Sequence, residues 1–556
     1  MQNAFKLIYK SRRFPTLALA LLLYCIPALL SAETTYFVDS WTGNDNRDGT
    51  SPQTAWKTLE KASSIAYEAG DRLLLSKGRT FEGTLRLQAR GKKGNPVVVS
   101  AYEASIGADS LPLIDAKGYL APVQVINGRH FIISDLELTA DAGTPMEERA
   151  LEERYGVYVE ANEPGHYPNI QLKNLKIRHI FATQSIEAKG QNPTSNMGLG
   201  INIIMRDPKA LISDVLIEGC TIYQTGNTGM WIFGTHDDEK DRIVYLKNVR
   251  IEDNYLKQIG GPGIVPGRTQ NLLVRGNITD DTGSDVDPRM HNRGSGIWPW
   301  MCQDVLIEHN KFMHAFGKHD AHGAHIDCHN KNVVIQYNMS INNHGGFAYI
   351  LGNNSNCSYR YNISINDGWR IEGTLGARSE GNTMWLNGYT GMDKPRIGPF
   401  NSYIYNNTVY VRSNQTTNFS VFSNTKGIYI ANNIFHILAP VGEDSYHMPD
   451  PETGEPTTPE RVVYRNNLYL RANTVPESLL IQDAKPIVGD VEFMNPGGFA
   501  PEDYIPTNKA LVKDRGIRPE KLPGDDIGLS IGLEVEKDFF GNPIKGKPDM
   551  GAIELP

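Results

Sequence analysis

Apolar and polar positions alternate in short runs along most of the chain, and these runs are rich in Val, Ile and Tyr. Alternation with a period of two residues is typical of strands that bury one face. Many runs end alike, with apolar, any, apolar, any, any and then Asn, as in VLIEHN and VVIQYN. The Asn residues that end these runs are Asn254, Asn277, Asn310, Asn338, Asn362, Asn407, Asn433 and Asn467. The pattern predicts one strand-containing unit that is repeated many times.

The repeat has a fixed motif but a variable length, since successive Asn residues lie between 23 and 45 positions apart. A constant motif with variable insertions is the signature of a solenoid, in which each unit is one coil and the insertions form loops. An inward Asn at the same turn of every coil can bond to backbone groups and to the Asn of the next coil. The sequence therefore predicts stacked coils of parallel strands with an internal Asn ladder.

With its ladder and its two end segments, the chain resembles the right-handed parallel β-helix proteins of the pectate-lyase-like superfamily. The end segments are YFVDSWTGNDNRDGTSPQTAWKTLEKAS and DFFGNPIKGKPDMGAIE, and the resemblance extends from about Thr35 to Glu554. It implies an all-β fold, a parallel β-helix in one domain over residues 33–556. Residues 33–100 are expected to form the N-terminal cap and first coils, and residues 470–556 a C-terminal capping segment.

The N-terminal end segment carries apolar residues at near-helical spacing, from Trp56 and Leu59 through Ala62 to Ile65 and Ala66. This spacing predicts a short cap helix over the first coil. The loop Asp39 to Asp48 before it is rich in Asp and Asn. Such residues either form turns or offer oxygen ligands to Ca²⁺, so calcium is an open alternative here, although no cofactor is required by the pattern.

After each Asn the sequence predicts a turn and a second strand that begins with Gly, as in GIWPWM, GAHIDC and GWRIEG. Alternation along these strands separates an inward set from two outward columns. The inward set is Ile232, Pro266, Ile297, Ile326, Tyr349 and Ile371. The first outward column is Trp231, Val265, Trp298, His325, Ala348 and Arg370, and the second is Phe233, Gly267, Trp300, Asp327, Ile350 and Glu372. Exposed aromatic rings beside charged groups on neighbouring coils indicate a binding surface.

Composition narrows the class of partner. The formal net charge of -8 is unlike the basic stripe that nucleic acids require. Near the N-terminus, Lys6, Lys10, Arg12 and Arg13 precede an apolar run that ends near Leu30 and small residues, which is the order of a secretory signal. A transmembrane anchor is the alternative interpretation of this run. We expect residues 1–32 to be a signal peptide and the remainder to be a secreted or periplasmic monomer that has no membrane segment.

The stretch KHDAHGAHIDCH, residues 318–329, holds four histidines and two aspartates. The repeat divides it between a loop containing His319, Asp320 and His322 and a strand on which His325, Asp327 and His329 share a face. His-x-Asp-x-His on a strand can bind a divalent ion, the histidines can be structural, or His325 and Asp327 can act on a sugar. We expect the third role and no metal ligands.

Paired carboxylates and tryptophan platforms are typical of glycoside hydrolases, whereas a polysaccharide lyase needs a base beside a substrate carboxylate. Asp327 and Glu372, two coils apart, would have backbones roughly 10 Å apart, which favours an inverting mechanism. The candidate catalytic residues are Asp327, Glu372 and His325, and the candidate substrate-binding residues are Trp298, Trp300, Arg370, Arg293, His322 and Asp320. The favoured function is a secreted polysaccharide-degrading glycoside hydrolase, with a polysaccharide or oligosaccharide as the expected partner. A lyase acting on uronates and a non-catalytic glycan-binding adhesin are the alternatives.

The resemblance does not supply catalytic residues. The polygalacturonase branch carries Asn-Thr-Asp, paired-Asp, Gly-His-Gly and Arg-Ile-Lys motifs in that order, and this sequence lacks that set. The candidate residues therefore depend on the strand columns alone, and no calcium ligands of the pectate lyases are transferred.

Overall fold

Most coils of the described residues contribute three short strands, whereas the sequence predicted two. The computed structural model describes residues 33–556 except 105–108, 142, 188–193, 378 and 451–452. The predicted signal peptide over residues 1–32 lies outside the described residues. The unpredicted strand follows each Asn directly, as Tyr255–Ile259 follows Asn254. Its apolar run is only three to five residues long in most coils, which is too short for a clear alternation.

Two long parallel sheets form two walls of the solenoid. The first sheet is Thr35–Val38, Arg72–Ser76, Val97–Tyr102, Phe131–Ser134, Gly165–Lys173, Ala210–Glu218, Leu246–Glu252, Thr269–Arg275, Gln303–Glu308, Lys331–Gln336, Ser355–Arg360, Phe400–Tyr405, Lys426–Ala431 and Glu460–Arg465. The second sheet is Thr80–Glu82, Leu113–Asp115, Glu137–Asp141, Lys176–Phe181, Thr221–Thr225, Tyr255–Ile259, Ile278–Thr282, Lys311–Met313, Met339–Ile341, Ile363–Ile365, Thr408–Val411, Ile434–Ile437, Leu468–Tyr469 and Ile487–Val488. Strands that follow one another in either sheet belong to successive coils, as a parallel β-helix requires.

The third wall is interrupted. Its N-terminal part is a parallel sheet of Leu85–Arg86, Val123–Ile126, Glu153–Ala161, Met197–Met205, Met230–Phe233 and Ile264–Gly267. Its C-terminal part is a parallel sheet of Gly346–Ile350, Asn382–Leu386, Thr417–Phe422 and Val441–Tyr446. Between them, residues 296–300 and 322–326 are joined to their neighbours through isolated bridges. This interruption in the third wall is where the candidate site lies.

The Asn ladder predicted from the repeat is confirmed. The Nδ2 of Asn310 donates to Oδ1 of Asn338 at 2.9 Å, and Asn338 donates to Asn362 at 3.0 Å. The same bond joins every successive pair from Asn254 to Asn467, with lengths from 2.8 to 3.0 Å. The residue before each of these asparagines has positive φ, as His309 does at 55°. A left-handed residue followed by Asn therefore makes the sharp turn between the first and second sheets.

The core is a column of aliphatic side chains inside the three walls, which Ile232, Ile297 and Ile326 join as predicted. Full burial of such a side chain contributes roughly 1.5–3 kcal/mol relative to exposure. A second apolar layer lies on the outer face of the first sheet, where Leu522 and Leu529 of the C-terminal segment cover Tyr403 and Tyr405. The C-terminal residues therefore pack along the side of the solenoid as well as at its end.

The cap helix is shorter than the sequence suggested. It spans Leu59–Ser63, and Oγ1 of Thr58 caps it by accepting from the Lys61 N–H at 3.1 Å. Ala66, which the spacing placed on the helix, begins the strand Ala66–Glu68, paired with Gln88–Arg90. The other α-helix is Lys509–Val512, and one-turn 3₁₀ helices span Pro52–Thr54, Glu148–Leu151, Thr374–Gly376, Ala472–Thr474 and Pro501–Tyr504. Two antiparallel hairpins, Ile186–Glu187 with Thr194–Ser195 and Thr235–Asp237 with Arg242–Val244, complete the elements. Among the described residues no helix has the length and apolar character needed to span a membrane.

The carboxylates of the loop Asp39 to Asp48 are engaged within the protein. Asp39 accepts from the Trp41 and Thr42 backbone N–H groups and pairs with Arg79. Asp45 accepts from the N–H groups of Lys57 and Thr58, at the start of the cap helix. These bonds are those of turn-forming residues. Calcium binding by this loop stays a prediction.

Candidate active site

The interruption of the third wall opens a cavity of about 590 Å³ on the outside of the solenoid. Its lining is Arg293, His319, Asp320, His322, His325, Tyr349, Leu351, Arg370, Ser379, Trp385, Asn387, Tyr389, Met392, Arg396, Phe422 and Tyr446. The volume lies within the range of about 300–1,000 Å³ that small-ligand sites occupy. Five aromatic residues and several charged groups converge on it, so the cavity is the candidate site.

The predicted outward column is correct as far as His325. Trp231 pairs with Val265, and the bridges of Ile264 with Ile297 and of Ile297 with Ala324 place Trp298 and His325 in the same column. The tryptophans themselves lie beside the cavity and do not line it. Trp298 stacks on His325 with ring centroids 5.9 Å apart, while Trp300 packs under the guanidinium of Arg268.

Beyond His325 the predicted column is wrong by one residue. Ile326 bridges to Ile350, so Tyr349 follows His325. Tyr349 was predicted to face the core, but its ring lines the cavity, and Ala348 lies in the core in its place. Isolated bridges replace a continuous ladder here, and Gly346 has a φ of 141°, so nothing preserves the register from one coil to the next.

The prediction for Glu372 is also wrong in its geometry. The strand after Gly346–Ile350 in this wall is Asn382–Leu386, and residues 368–373 form a loop. Ile371, predicted to be inward, is 49% exposed, and Glu372 is exposed beside it. Glu372 therefore does not stand two coils above Asp327 in one column. The spacing that favoured inversion does not apply.

Arg370 reaches the cavity by a different route from the predicted one. Its Nε and Nη2 donate to the backbone oxygen and Oγ of Ser379 at 2.9 and 2.8 Å. Its Nη1 donates to the backbone oxygen of Asp320 at 3.1 Å. Arg370 thus joins the loop that carries it to the loop that carries Asp320.

Asp320 is an ionised carboxylate held by an arginine. The Nε of Arg293 donates to Asp320 Oδ2 at 2.8 Å. Burial by itself would raise the pKa of Asp320, but the charge of Arg293, then His325 and this hydrogen bond, outweigh it and hold the pKa well below its usual range. Asp320 is therefore negatively charged at any pH at which the protein would normally work.

Asp327 has the opposite environment. Burial raises the pKa of Asp327 to about 6, and the negative charge of Asp320 acts in the same direction. The Cys328 backbone N–H, which donates to Asp327 Oδ1 at 2.7 Å, and the charge of Arg293 oppose the shift. Two carboxyl groups that affect each other therefore differ widely in pKa. This is the property that separates a proton donor from an ionised partner.

The two histidines of the cavity are buried and neutral near pH 7. Burial lowers the pKa of His325 to about 4, and burial with the nearby charge of His325 lowers that of His322 well below its usual value. Nδ1 of His325 lies 3.1 Å from Oγ of Ser295, and the same Oγ accepts a hydrogen bond from the backbone N–H of His322. His322 packs on Tyr349, with ring centroids 3.8 Å apart.

His329 makes its contacts away from His325 and Asp327, with which it could have formed a metal site. Its Nε2 lies 3.3 Å from the backbone oxygen of Thr390, and its Nδ1 lies 2.8 Å from Nδ2 of Asn353. Among the described residues no group of three His, Cys, Asp or Glu side chains is arranged to hold a metal ion. His325 and Asp327 therefore act without His329 in any account of this site.

Sequence reasoning missed most of the aromatic wall. Trp385 and Tyr389 come from the coil that follows Asn362, Phe422 from the coil that follows Asn407, and Tyr446 from the coil that follows Asn433. The interval between these two asparagines is the longest in the series, at 45 residues, and it conceals the strand Asn382–Leu386. The alternation in NTMWLN was the available signal.

Comparison with known proteins agrees with this architecture. The family described as "Right handed beta helix region" matches residues 154–367. The structure has the parallel strands of a β-helix, and the part of the chain that this family model matches is similar to right-handed β-helices.

A curated relative of this β-helix protein is a lacto-N-biosidase from Bifidobacterium longum. It is 26% identical over 94% of this chain and 36% of its own length. This chain therefore spans about a third of that relative. Among solved structures, a GH136 lacto-N-biosidase from Eubacterium ramulus shares 18% identity with a TM-score of 0.49, covering 82% of this chain and 68% of its own. A complex of XylC with xylose shares 12% identity with a TM-score of 0.45, covering 94% and 98%.

Proposed function

We propose that this protein is a glycoside hydrolase that cleaves an oligosaccharide in the cavity that Asp320 lines. Asp327 is not among the lining residues, but its charge acts on Arg293 and Tyr389, which line the cavity. The observation that carries the proposal is the pair of carboxyl groups with widely separated pKa values next to an aromatic wall. Retaining and inverting glycosidases both need one carboxylic acid and one carboxylate at the scissile bond. The similarity to a lacto-N-biosidase supports the same reaction class.

In the proposed reaction Asp327, protonated below about pH 6, gives its proton to the glycosidic oxygen as the bond to the anomeric carbon breaks. Asp320, kept ionised by Arg293, either attacks the anomeric carbon or takes a proton from the attacking water. His325 is neutral, and its Nδ1 is already bonded to Ser295, so His325 orients the segment between the two carboxyls. The rings of Tyr349 and Trp385 offer faces for sugar stacking.

The stereochemical course follows from the separation of the two carboxyl groups, about 5–5.5 Å for retention and about 6.5–9.5 Å for inversion. The preference for inversion depended on Glu372 and loses that basis. Proton NMR of the first sugar released identifies the anomer directly. An inverted product at early times would require a water between Asp320 and the sugar, and a retained product a glycosyl–Asp320 ester.

The test is hydrolysis of 4-nitrophenyl β-lacto-N-bioside together with a panel of oligosaccharides that carry no nitrophenyl leaving group. We expect Asp320→Asn to lower kcat on every substrate by about 10³-fold or more, since the ionised partner is lost. Asp327→Asn should lose activity on unactivated oligosaccharides but keep much of it on the nitrophenyl glycoside, because nitrophenolate leaves without a proton. Glu372→Gln, an exposed carboxyl near the cavity, is the matched control and should stay close to the wild type.

Three results contradict the proposal in distinct ways. Products with the ultraviolet absorbance of an unsaturated uronate would make the protein a lyase. Retention of glycans with no cleavage of any substrate would make it a binding module. Full activity of both Asp320→Asn and Asp327→Asn would move the reaction to other residues.

A further inference from the structure

The lining of the cavity carries more positive than negative charge. Three arginines, Arg293, Arg370 and Arg396, line it together with one carboxylate, Asp320. Arg293 is paired with Asp320. The ion pairs among the described residues include none for Arg370 or Arg396. Neither guanidinium forms an ion pair with a described residue, although the charges of Asp320 and Glu380 act on Arg370.

Arg370 is the stronger evidence for an anionic ligand, because only 2% of its surface is exposed. A buried charge without a partner is costly and is retained mainly where something else compensates for it. Its partners are two oxygens of Ser379 and the backbone oxygen of Asp320, none of which is charged. A guanidinium has five N–H donors, so two remain after these three bonds.

Arg396 stands on the other side of the aromatic wall. Its guanidinium lies 5.6 Å from the ring centroid of Tyr389 and 5.5 Å from that of Phe422. Its Nη1 donates to Oδ1 of Asn387 at 3.2 Å, which fixes the head group against the lining. Since Trp385 lies between Phe422 and Tyr349, the two cations flank the surface on which a sugar ring would stack.

An unused donor accompanies these charges. Nε1 of Trp385 is buried and has no hydrogen-bond partner within the protein. An indole N–H can only donate. Buried polar atoms of this kind normally have partners, so a ligand acceptor would complete Trp385. The nearby carboxylates are not the missing acceptor. Glu372 and Glu380 lie outside the lining, and Asp327 accepts from the Cys328 N–H.

We propose that the glycan this cavity binds carries an anionic substituent, a carboxylate or a sulfate, which Arg370 and Arg396 neutralise and to which Trp385 donates. This inference rests on the proposed function, because it names the substrate class of the same site. A neutral sugar would satisfy the N–H donors through hydroxyl oxygens but would leave the buried guanidinium of Arg370 without an ion-pair partner. Arg396 is exposed, so it adds attraction for an anion without a burial cost of its own. A carboxylate or sulfate supplies both acceptors and charge.

The experiment compares sugars that differ only in the charged group. Glucuronic acid is compared with glucose, and galactose 6-sulfate with galactose, by ligand-observed NMR titration of the full chain at low and high sodium chloride. We expect one anionic member to bind about tenfold more tightly than its neutral partner, with the advantage shrinking as salt screens it. The pair that shows the effect identifies carboxylate or sulfate as the group recognised.

Arg396→Gln should remove that preference, and Arg396→Lys should keep part of it. Arg90→Gln is the matched control, since Arg90 is an exposed arginine in the first coils, and it should change nothing. Arg370 is left in place because it also holds the backbone at Asp320. Equal binding of charged and neutral sugars, no binding of either, or a preference that survives Arg396→Gln would each overturn the inference.

Hydrolysis assays separate this inference from the function on which it rests. Cleavage of neutral oligosaccharides without any anionic preference would keep the hydrolase and reject the anionic substrate. Tight, salt-sensitive binding of an anionic sugar with no cleavage of charged or neutral glycans would reject the hydrolase and keep the binding site.

Discussion

Arg293 is the residue on which the difference between Asp320 and Asp327 depends most directly. It bonds to Asp320, and its charge also reaches Asp327. Without it, two carboxyl groups in a buried setting would compete for one proton. Arg293 is therefore a positioning residue that acts through Asp320.

Replacing Arg293 by Gln is expected to raise the pKa of Asp320 and so introduce an acidic limb in the pH dependence of kcat. In the wild type that limb lies below the usual range of a carboxyl group, because the Asp320 pKa is lowered. The measurement is kcat from about pH 3 to 8 for both proteins, with Arg293→Lys as a conservative variant that should restore most of the wild-type profile. An unchanged acidic limb in Arg293→Gln would show that another group keeps Asp320 ionised.

The wild-type kcat should fall as pH rises through about 6, because Asp327, whose pKa is raised, then loses the proton that it donates.

The raised pKa of Asp327 also makes the stability of the fold depend on pH. The folded protein holds this proton more tightly than the unfolded chain, whose aspartate titrates near 3.8, so the free energy of unfolding declines between about pH 4 and 6. Asp327→Asn has no carboxyl group to ionise at this position. Its free energy of unfolding should therefore rise relative to that of the wild type over that interval, by on the order of 2–3 kcal/mol at most. Chemical denaturation at several pH values measures it, and a difference independent of pH would contradict the assignment.

The sequence placed Asp327 and His325 on an outward strand face, but it did not place the aromatic residues that line the cavity near them. Periodicity succeeded from Trp231 to His325, through one ladder and two isolated bridges. It failed at Tyr349, because the strand was aligned on Gly346, whose φ of 141° begins it one residue out of step with the preceding coil. Asp320 was assigned to substrate binding, because its ionic state depends on Arg293, and this contact between loops leaves no periodic signal.

At the scale of elements, the Asn ladder and the interrupted wall have complementary roles. The ladder runs unbroken through the coils that carry the site, and it ends on Asp483, which accepts from Asn467 at 2.9 Å. It keeps the first and second sheets regular while the third wall departs from a regular strand path. The coils stay stacked beside the cavity, because the asparagines of the ladder provide hydrogen-bond partners for the backbone groups of the turns.

Asn338→Ala is expected to destabilise the protein strongly and to leave the chemistry of folded molecules unchanged. Asn338 accepts from two groups of Asn310 and donates to Ile307, Gln336 and Asn362. Each buried group left without a partner costs about 1–3 kcal/mol. The matched control is Asn162→Ala, which removes exposed side-chain bonds with Asn127 and Glu160 and should lower the melting temperature little. Equal effects of the two substitutions would mean that the inner ladder adds nothing beyond a surface bond.

At the scale of the whole molecule, the C-terminal segment ties several coils together. Asp525 accepts from Asn356 at 3.0 Å and from Tyr403 at 2.5 Å, and the backbone oxygen of Gly532 accepts from Arg360 at 2.7 Å. These bonds join residues far apart in the chain across the outer face of the first sheet. A solenoid is held mainly by contacts between neighbouring coils, so such a strap adds cooperativity. Export and a monomeric state stay predictions of the sequence.

Asp525→Ala is expected to loosen this strap while sparing the cavity, which lies on another wall. The change leaves the hydroxyl of Tyr403 and the amide of Asn356 with fewer partners, at about 1–3 kcal/mol for each group left buried and unpaired. The melting temperature should fall, and limited proteolysis should cut near residues 520–535 sooner than in the wild type. Asp526→Ala is the control, because Asp526 is exposed beside it and should behave like the wild type. Turnover at a temperature well below melting should be unchanged in both variants. A variant that keeps the wild-type cleavage pattern and melting temperature would show that apolar packing of Leu522 and Leu529 holds the segment without Asp525.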